Sequence, residues 1–174
     1  EIQELLDYSN LAEAFKNIRE YSWIVFTSVN SVEIVFSQIK LFGMDPYQIL
    51  SDIKIAVIGS ATAKSIKDSN LTPSLQPSPY IAEELAESIS QNSNTDAKIL
   101  IPISENARKT LKESLTSKGF NVDTIPIYRT ITPKKSADEI NTNFENGIDI
   151  ITFTSGSTVK GLFEILDGDT TYVN

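Results

Sequence analysis

The 174-residue chain contains no cysteine and no histidine. Thiolate nucleophiles, disulfides, Cys or Cys/His zinc sites, Ser-His-Asp triads and any imidazole acid or base step are thereby excluded. Positive charge is also scarce: 15 Lys and Arg face 23 Asp and Glu, for a net charge of −8, and no basic run interrupts the acidic background. A nucleic-acid partner is not expected. No apolar run approaches the roughly 20 residues of a membrane span, and no leader-like segment is evident, so the expectation is a cytoplasmic protein without a membrane partner. An all-carboxylate metal site stays formally open, but there is no tight carboxylate cluster of the calcium-loop type, and there is no G-x-G-x-x-G dinucleotide fingerprint.

What the chain does have is 40% hydrophobic residues, enough for a substantial core. Short β-branched runs recur at Trp23 to Thr27, Ile53 to Ile58, Lys98 to Pro102, Val122 to Ile127 and Ile148 to Phe153, and these read as strands. A weaker candidate, Leu71 to Leu75, is interrupted by Pro73 and fits an edge position. Helix-like stretches lie between them. One opens at Asn30 with Glu33 in capping-box spacing and turns Val32, Val35, Phe36 and Ile39 inward. Another carries Ala107, Leu111 and Leu115 as a stripe and stops at Gly119, and Ser136 with Glu139 opens a further one. Strands alternating with amphipathic helices imply an α/β fold with a parallel sheet covered on both faces.

An internal repeat is the most informative pattern. Ile24 to Val32 (IVFTSVNSV) and Ile151 to Val159 (ITFTSGSTV) align at an offset of 127 residues, and Phe36 and Phe163 keep the register. So long a period implies duplicated domains rather than a solenoid. The first unit is complete by about Thr130, whereas the second holds one strand and one helix, so it is expected to be incomplete in this chain. Arg129 to Lys135, with Pro133 at its middle, reads as the linker.

Thr27-Ser28 and Thr154-Ser155 each stand where a strand gives way to a helix, the ligand-facing edge of an open α/β sheet. Two readings stand there: plain N-capping, and an anion site built from helix amides and hydroxyls. Gly59 to Ser65 ends in Lys-Ser like a phosphate loop but lacks a glycine before the lysine, so a tight strand-to-helix turn presenting Ser60 and Thr62 is preferred. Tyr128 ends a strand at the linker and serves either as packing or as a proton donor. Arg108, near a helix start, opposes the macrodipole.

Taken together, Ile24 to Asn30, Gly59 to Ala63, Tyr80 to Leu85, Pro102 to Arg108, Ile127 to Thr130 and Phe153 to Ser155 resemble the uroporphyrinogen-III synthase family. The resemblance implies two flavodoxin-like, doubly wound parallel-sheet domains joined by a two-stranded linker. Residues 1–129 would form the inserted, complete domain and residues 130–174 part of the second, split one. It also implies a monomer that uses no cofactor and takes a linear tetrapyrrole, hydroxymethylbilane, closing it with loss of water and inversion of ring D. On the matching motifs, Thr27, Ser28, Asn30, Gly59, Ser60, Thr62, Tyr80, Ile81, Ala82, Thr154, Ser155 and Ser157 would bind the carboxylate-bearing substrate, and Tyr128 would assist departure of the hydroxyl. Two departures stand out. Ile103-Ser104 replaces a frequent Arg-Gly, leaving Arg108 as the nearest cation, and Asn70 replaces a frequent Gly, which Asn can do because it tolerates the left-handed conformation. The rival reading is a non-catalytic, two-lobed binding module that closes on an anionic small molecule; a phospho-receiver domain fits less well, because the strand ends carry Ser and Thr instead of aspartates.

Overall fold

In a computed structural model of the chain, residues 1–132, 136–153 and 155–166 are described. The fold is mixed α/β, with a five-stranded sheet and eight α-helices among these residues. In chain order the elements are β1 (Ile2–Glu4), α1 (Ser9–Lys16), β2 (Trp23–Phe26), α2 (Val29–Leu41), α3 (Pro46–Leu50), β3 (Lys54–Val57), α4 (Ser60–Asp68), α5 (Ala82–Gln91), β4 (Lys98–Ser104), α6 (Thr110–Ser117), β5 (Asn121–Thr130), α7 (Ser136–Glu145) and α8 (Gly156–Ile165). The backbone divides into two compact units, Gln3–Arg129 and Glu1–Ile2 with Thr130–Asn174.

The sheet has the order β1-β5-β4-β2-β3, and β2 pairs in parallel with β3 on one side and β4 on the other, while β4 and β5 are also parallel. Side chains alternate between two cores, as a period of two residues requires. Ile24 and Phe26 of β2 join Ile55 and Val57 of β3 and Leu100 of β4 on one face, under Leu11 and Phe15 of α1, Val35 and Ile39 of α2, and Ile66 of α4. Trp23 and Val25 join Ala56, Ile99 and Ile101 on the other, under Leu85 and Ile89 of α5 and Leu111 and Leu115 of α6. Burial on both faces is why these strands read as continuous apolar runs. The Leu71 to Leu75 stretch contributes one parallel bridge, Leu75 to Ala56, at the edge beside β3. The short edge strand β1 has no counterpart in the sequence pattern.

Several expected boundaries shift. Helix α2 is capped by Ser28, whose hydroxyl accepts from the Ser31 amide at 3.1 Å, so Asn30 lies inside the first turn rather than opening the helix. Ala107 lies before α6, and only Leu111 and Leu115 of its expected stripe are buried helix positions. Gly119 does end the helix, with φ +92°; the Phe120 amide bonds back to the Leu115 carbonyl at 3.2 Å. Asn70 takes a left-handed φ of 61°, as expected of the residue standing for glycine.

The larger correction concerns Ile148 to Phe153. No strand forms there among the described residues, and Ile150 and Phe153 are 81% and 41% exposed. A parallel strand is held by neighbours on either side, and none of the five strands pairs with this segment. Among the described residues of the unit containing it, Glu1 and Ile131 exchange both backbone hydrogen bonds at 3.0 Å, and Thr132 Oγ1 donates to Glu164 at 2.7 Å.

At the end of the sheet where β2, β4 and β5 begin, Lys98 bridges Glu20 at 3.1 Å and Asp123 at 3.4 Å and lies 4.5 Å from the Tyr21 ring centre, while Tyr21 donates to Asp123 at 2.6 Å. This network ties the starts of three strands together at the edge opposite the candidate site.

Candidate functional site

Strand β2 is followed along the chain by β3 on one side, and the chain then crosses to β4 on the other, so the winding direction reverses between β2 and β4. Ligands of open α/β sheets collect outside the strand ends at such a point. Here an open groove of ≈ 1110 Å³ lies between α5 and α6, over the later residues of β4 and β5, and reaches Thr27 at the end of β2.

The groove has an apolar floor and a polar rim. Ile101 and Ile103 of β4 and Pro126 of β5 form the floor, and Tyr80 and Ile81, 50% and 48% exposed, stand at the start of α5. Ile81 is the N-cap of α5 and has no side-chain acceptor to offer, so the first amides of that helix have no side-chain cap. Arg108, Lys109 and Lys112 lie along the α6 side, with the Lys112 ammonium 3.4 Å from the Thr124 hydroxyl.

Thr27, Tyr80, Ile81 and Ala82 therefore share one groove. Ser28 and Tyr128 form a second constellation: their hydroxyls are 3.0 Å apart, Tyr128 is only 7% exposed, and it packs with Ile24 and Phe26 on the opposite face of the sheet from the groove. The Tyr128 carbonyl accepts from the Glu105 amide at 2.7 Å, joining β5 to the loop after β4. Asn30 is half-buried in the first turn of α2.

The third motif is divided by burial. Gly59, at φ +91°, makes the turn into α4, which suits a residue without a Cβ, and Ser60 is exposed at the first helical position. Thr62 is 4% exposed and belongs to the interior, so its hydroxyl is not presented to a ligand as expected.

In the other unit, Ser155 caps α8 through Thr158, at 3.4 Å, with backbone angles within a few degrees of those of Ser28 (φ −160° and ψ 158° against −155° and 156°). Thr158 Oγ1 donates to the Ser155 carbonyl at 2.7 Å, as Ser31 Oγ does to Ser28. Ser157 is exposed, 2.9 Å from the Ser155 hydroxyl. The repeat seen in the sequence thus builds the same local cap twice. Thr154 lies outside the described residues.

Lys109, Lys112 and Thr124 were not singled out in the sequence. For Lys112 the signal that could have found it is the Leu111–Leu115 spacing, which turns the residue next to Leu111 away from the buried side; Thr124 lies on β5 and carries no such signal.

The model of the family described as uroporphyrinogen-III synthase HemD matches residues 1–172. The chain belongs to the uroporphyrinogen-III synthase family. Among curated relatives, it is 32% identical over 162 residues to a porphyrin biosynthesis protein HemD of Ruminiclostridium josui, covering 92% of this chain and 32% of that protein. It is also 32% identical over 157 residues to a putative uroporphyrinogen-III synthase of Methanocaldococcus jannaschii, covering 88% and 62%. The chain thus spans less than two thirds of the length of these relatives. Among solved structures, a uroporphyrinogen III synthase of Thermus thermophilus aligns with TM-score 0.69 at 15% identity, over 98% of this chain and 67% of that one, and the Helicobacter pylori enzyme with 0.51 at 15%, over 96% and 80%. At such identities the structural likeness shows the fold. Family membership favours the enzyme over the non-catalytic binding module.

Proposed function

We propose that these residues serve a uroporphyrinogen-III synthase, a cyclising lyase that closes hydroxymethylbilane to uroporphyrinogen III with loss of water, in the cytoplasm, as a monomer, without a cofactor. In this reading Gln3–Arg129 is the inserted, flavodoxin-like domain, and Thr130 onward belongs to a split domain of the same kind. The observation that carries it is the strand-end edge at the β2/β4 reversal, which presents Thr27 to the groove and the adjacent Ser28 to Tyr128, in a chain that belongs to this family.

The chemistry asks for little beyond placement. The terminal C–O bond of the bilane breaks as its oxygen takes a proton and leaves as water. The resulting azafulvene carbon is attacked by the substituted end of ring D, giving a spiro intermediate that reopens and closes on the other side, and the surplus ring proton is finally lost. Tyr128 is the proposed donor to the leaving oxygen, with the Ser28 hydroxyl at 3.0 Å holding the phenol in orientation. Thr27, Ser28, Asn30, Gly59, Ser60, Tyr80, Ile81 and Ala82, with Thr154, Ser155 and Ser157 in the other unit, are proposed to receive the acetate and propionate groups through hydroxyls and helix-start amides. Thr62 supports the turn from within. The main contribution is geometric, because a flexible chain must be held with two distant carbons in contact while water is kept away.

Supplying hydroxymethylbilane to the full-length protein tests this. Enrichment of the type III isomer over the spontaneous type I product is expected, and an unchanged isomer share refutes the assignment.

A further inference from the structure

Arg108, Lys109 and Lys112 stand together on the groove in a chain whose net charge is −8. Their position gains nothing from the helix beside them. Lys109 is the N-cap residue of α6 and makes no capping bond, and Arg108 precedes it, so both face the end of the helix that repels positive charge. Some other lysines are neutralised by neighbours: Lys16 pairs with Glu13, Lys64 with Asp68, Lys98 with Glu20 and Asp123, and Lys118 with Glu87. Among the described residues, the side chains of Arg108 and Lys109 have neither an ion pair nor a hydrogen bond, although Glu83, Glu105 and Glu113 also line the groove. The Lys112 ammonium has only the Thr124 hydroxyl, 3.4 Å away, which directs it toward β5 without cancelling its charge.

We propose that Arg108 and Lys112 are specificity-determining residues that anchor carboxylate side chains of a tetrapyrrole lying in the groove, so that this chain selects its ligand by the number of carboxylates it carries. The proposal rests on the tetrapyrrole reading above and adds the residues that count charge. An arginine supplies a planar, two-pronged donor to a carboxylate, and a lysine a compact charge reached from a flexible stem. Tyr80, Ile81 and Ile103 offer apolar surface for the pyrrole faces between them.

The test is a titration of the chain with two stable porphyrins, the octacarboxylate uroporphyrin and the tetracarboxylate coproporphyrin, at low and high salt, followed by porphyrin fluorescence. The wild type is expected to prefer the octacarboxylate, with an affinity that falls as salt rises. The double variant Arg108→Gln with Lys112→Gln should weaken octacarboxylate binding about tenfold or more, weaken the tetracarboxylate less, and flatten the salt dependence. Lys40→Gln, on an exposed position of α2, should change none of these. The charge-keeping pair Arg108→Lys with Lys112→Arg should retain the preference, and its loss there would overturn the proposal even if the glutamine pair failed to fold. A folded glutamine variant that keeps wild-type affinity and selectivity overturns the proposal alone. A wild-type chain that binds neither porphyrin overturns the tetrapyrrole reading with it.

Discussion

The Ser28 hydroxyl touches two distant parts of one unit, accepting from the Ser31 amide at 3.1 Å and lying 3.0 Å from the Tyr128 phenol 100 residues further on. One atom thus caps α2 and ties that cap to the end of β5. Ser28→Ala should destabilise the unit by about 1 to 2 kcal/mol, combining a lost cap with a buried phenol left without its partner. Trp23 is the only tryptophan and is fully buried in this unit, so its fluorescence in urea reads the change. The equivalent Ser155→Ala, at an exposed cap in the other unit, should leave the Trp23 transition in place.

Tyr128→Phe separates packing from chemistry. It removes one hydrogen bond from a side chain that is already 7% exposed, so stability should fall by only about 1 kcal/mol. If the phenol delivers the proton to the leaving hydroxyl, formation of uroporphyrinogen III by the full-length enzyme should slow by roughly 100-fold. A rate equal to wild type assigns the phenol to packing alone. Combined with Ser28→Ala, its stability effect should be less than additive, since both remove the same contact.

Phe26 and Phe153 occupy the same place in the sequence repeat and opposite environments in the fold. Phe26 is 0% exposed in the centre of the sheet, whereas Phe153 is 41% exposed and, among the described residues, has no strand beside it. Phe26→Ala should therefore cost about 3 to 5 kcal/mol in the Trp23 urea transition, and Phe153→Ala should leave that transition where it is. Equal effects would show that the second copy is buried in solution.

That pair also shows what the sequence could and could not disclose. Strands β2 to β4 were readable because their apolar runs are buried on both faces, β5 from its β-branched residues Val122, Thr124, Ile125 and Ile127 although it is only partly buried, and the caps at Ser28 and Ser155 were readable as a repeated local motif. Ile148 to Phe153 carries the same run, yet a strand depends on partners that a local pattern does not contain. The site divides in the same way. Thr27 and the Tyr80 to Ala82 turn could be placed at a sheet edge from their flanking elements, but that Thr62 points inward, and that Lys112 reaches Thr124 across the groove, depends on how α4 and α6 are rotated against the sheet. β1 is three residues long and leaves too little pattern to be seen.

The network beneath the sheet predicts how stability responds to alkali. Burial, aided by the hydrogen bond to Asp123, raises the Tyr21 phenol to about 12; Tyr8, also desolvated and bonded to Glu4, rises to about 12, and Glu20 raises Lys98. A raised value means that the folded state keeps a proton that the unfolded state releases. The contribution is complete below the ordinary tyrosine value near 10 and is lost as pH climbs through about 12. The urea midpoint should accordingly fall between about pH 10 and 12. In Tyr21→Phe the starting stability should be lower, because Asp123 keeps Lys98 but loses the phenol donor, and the descent over that window should be shallower. Tyr8 and Lys98 titrate in the same direction, so a residual slope should persist in Tyr21→Phe and shrink further when Tyr8→Phe is added. A double variant as steep as wild type would place the alkaline loss elsewhere in the chain.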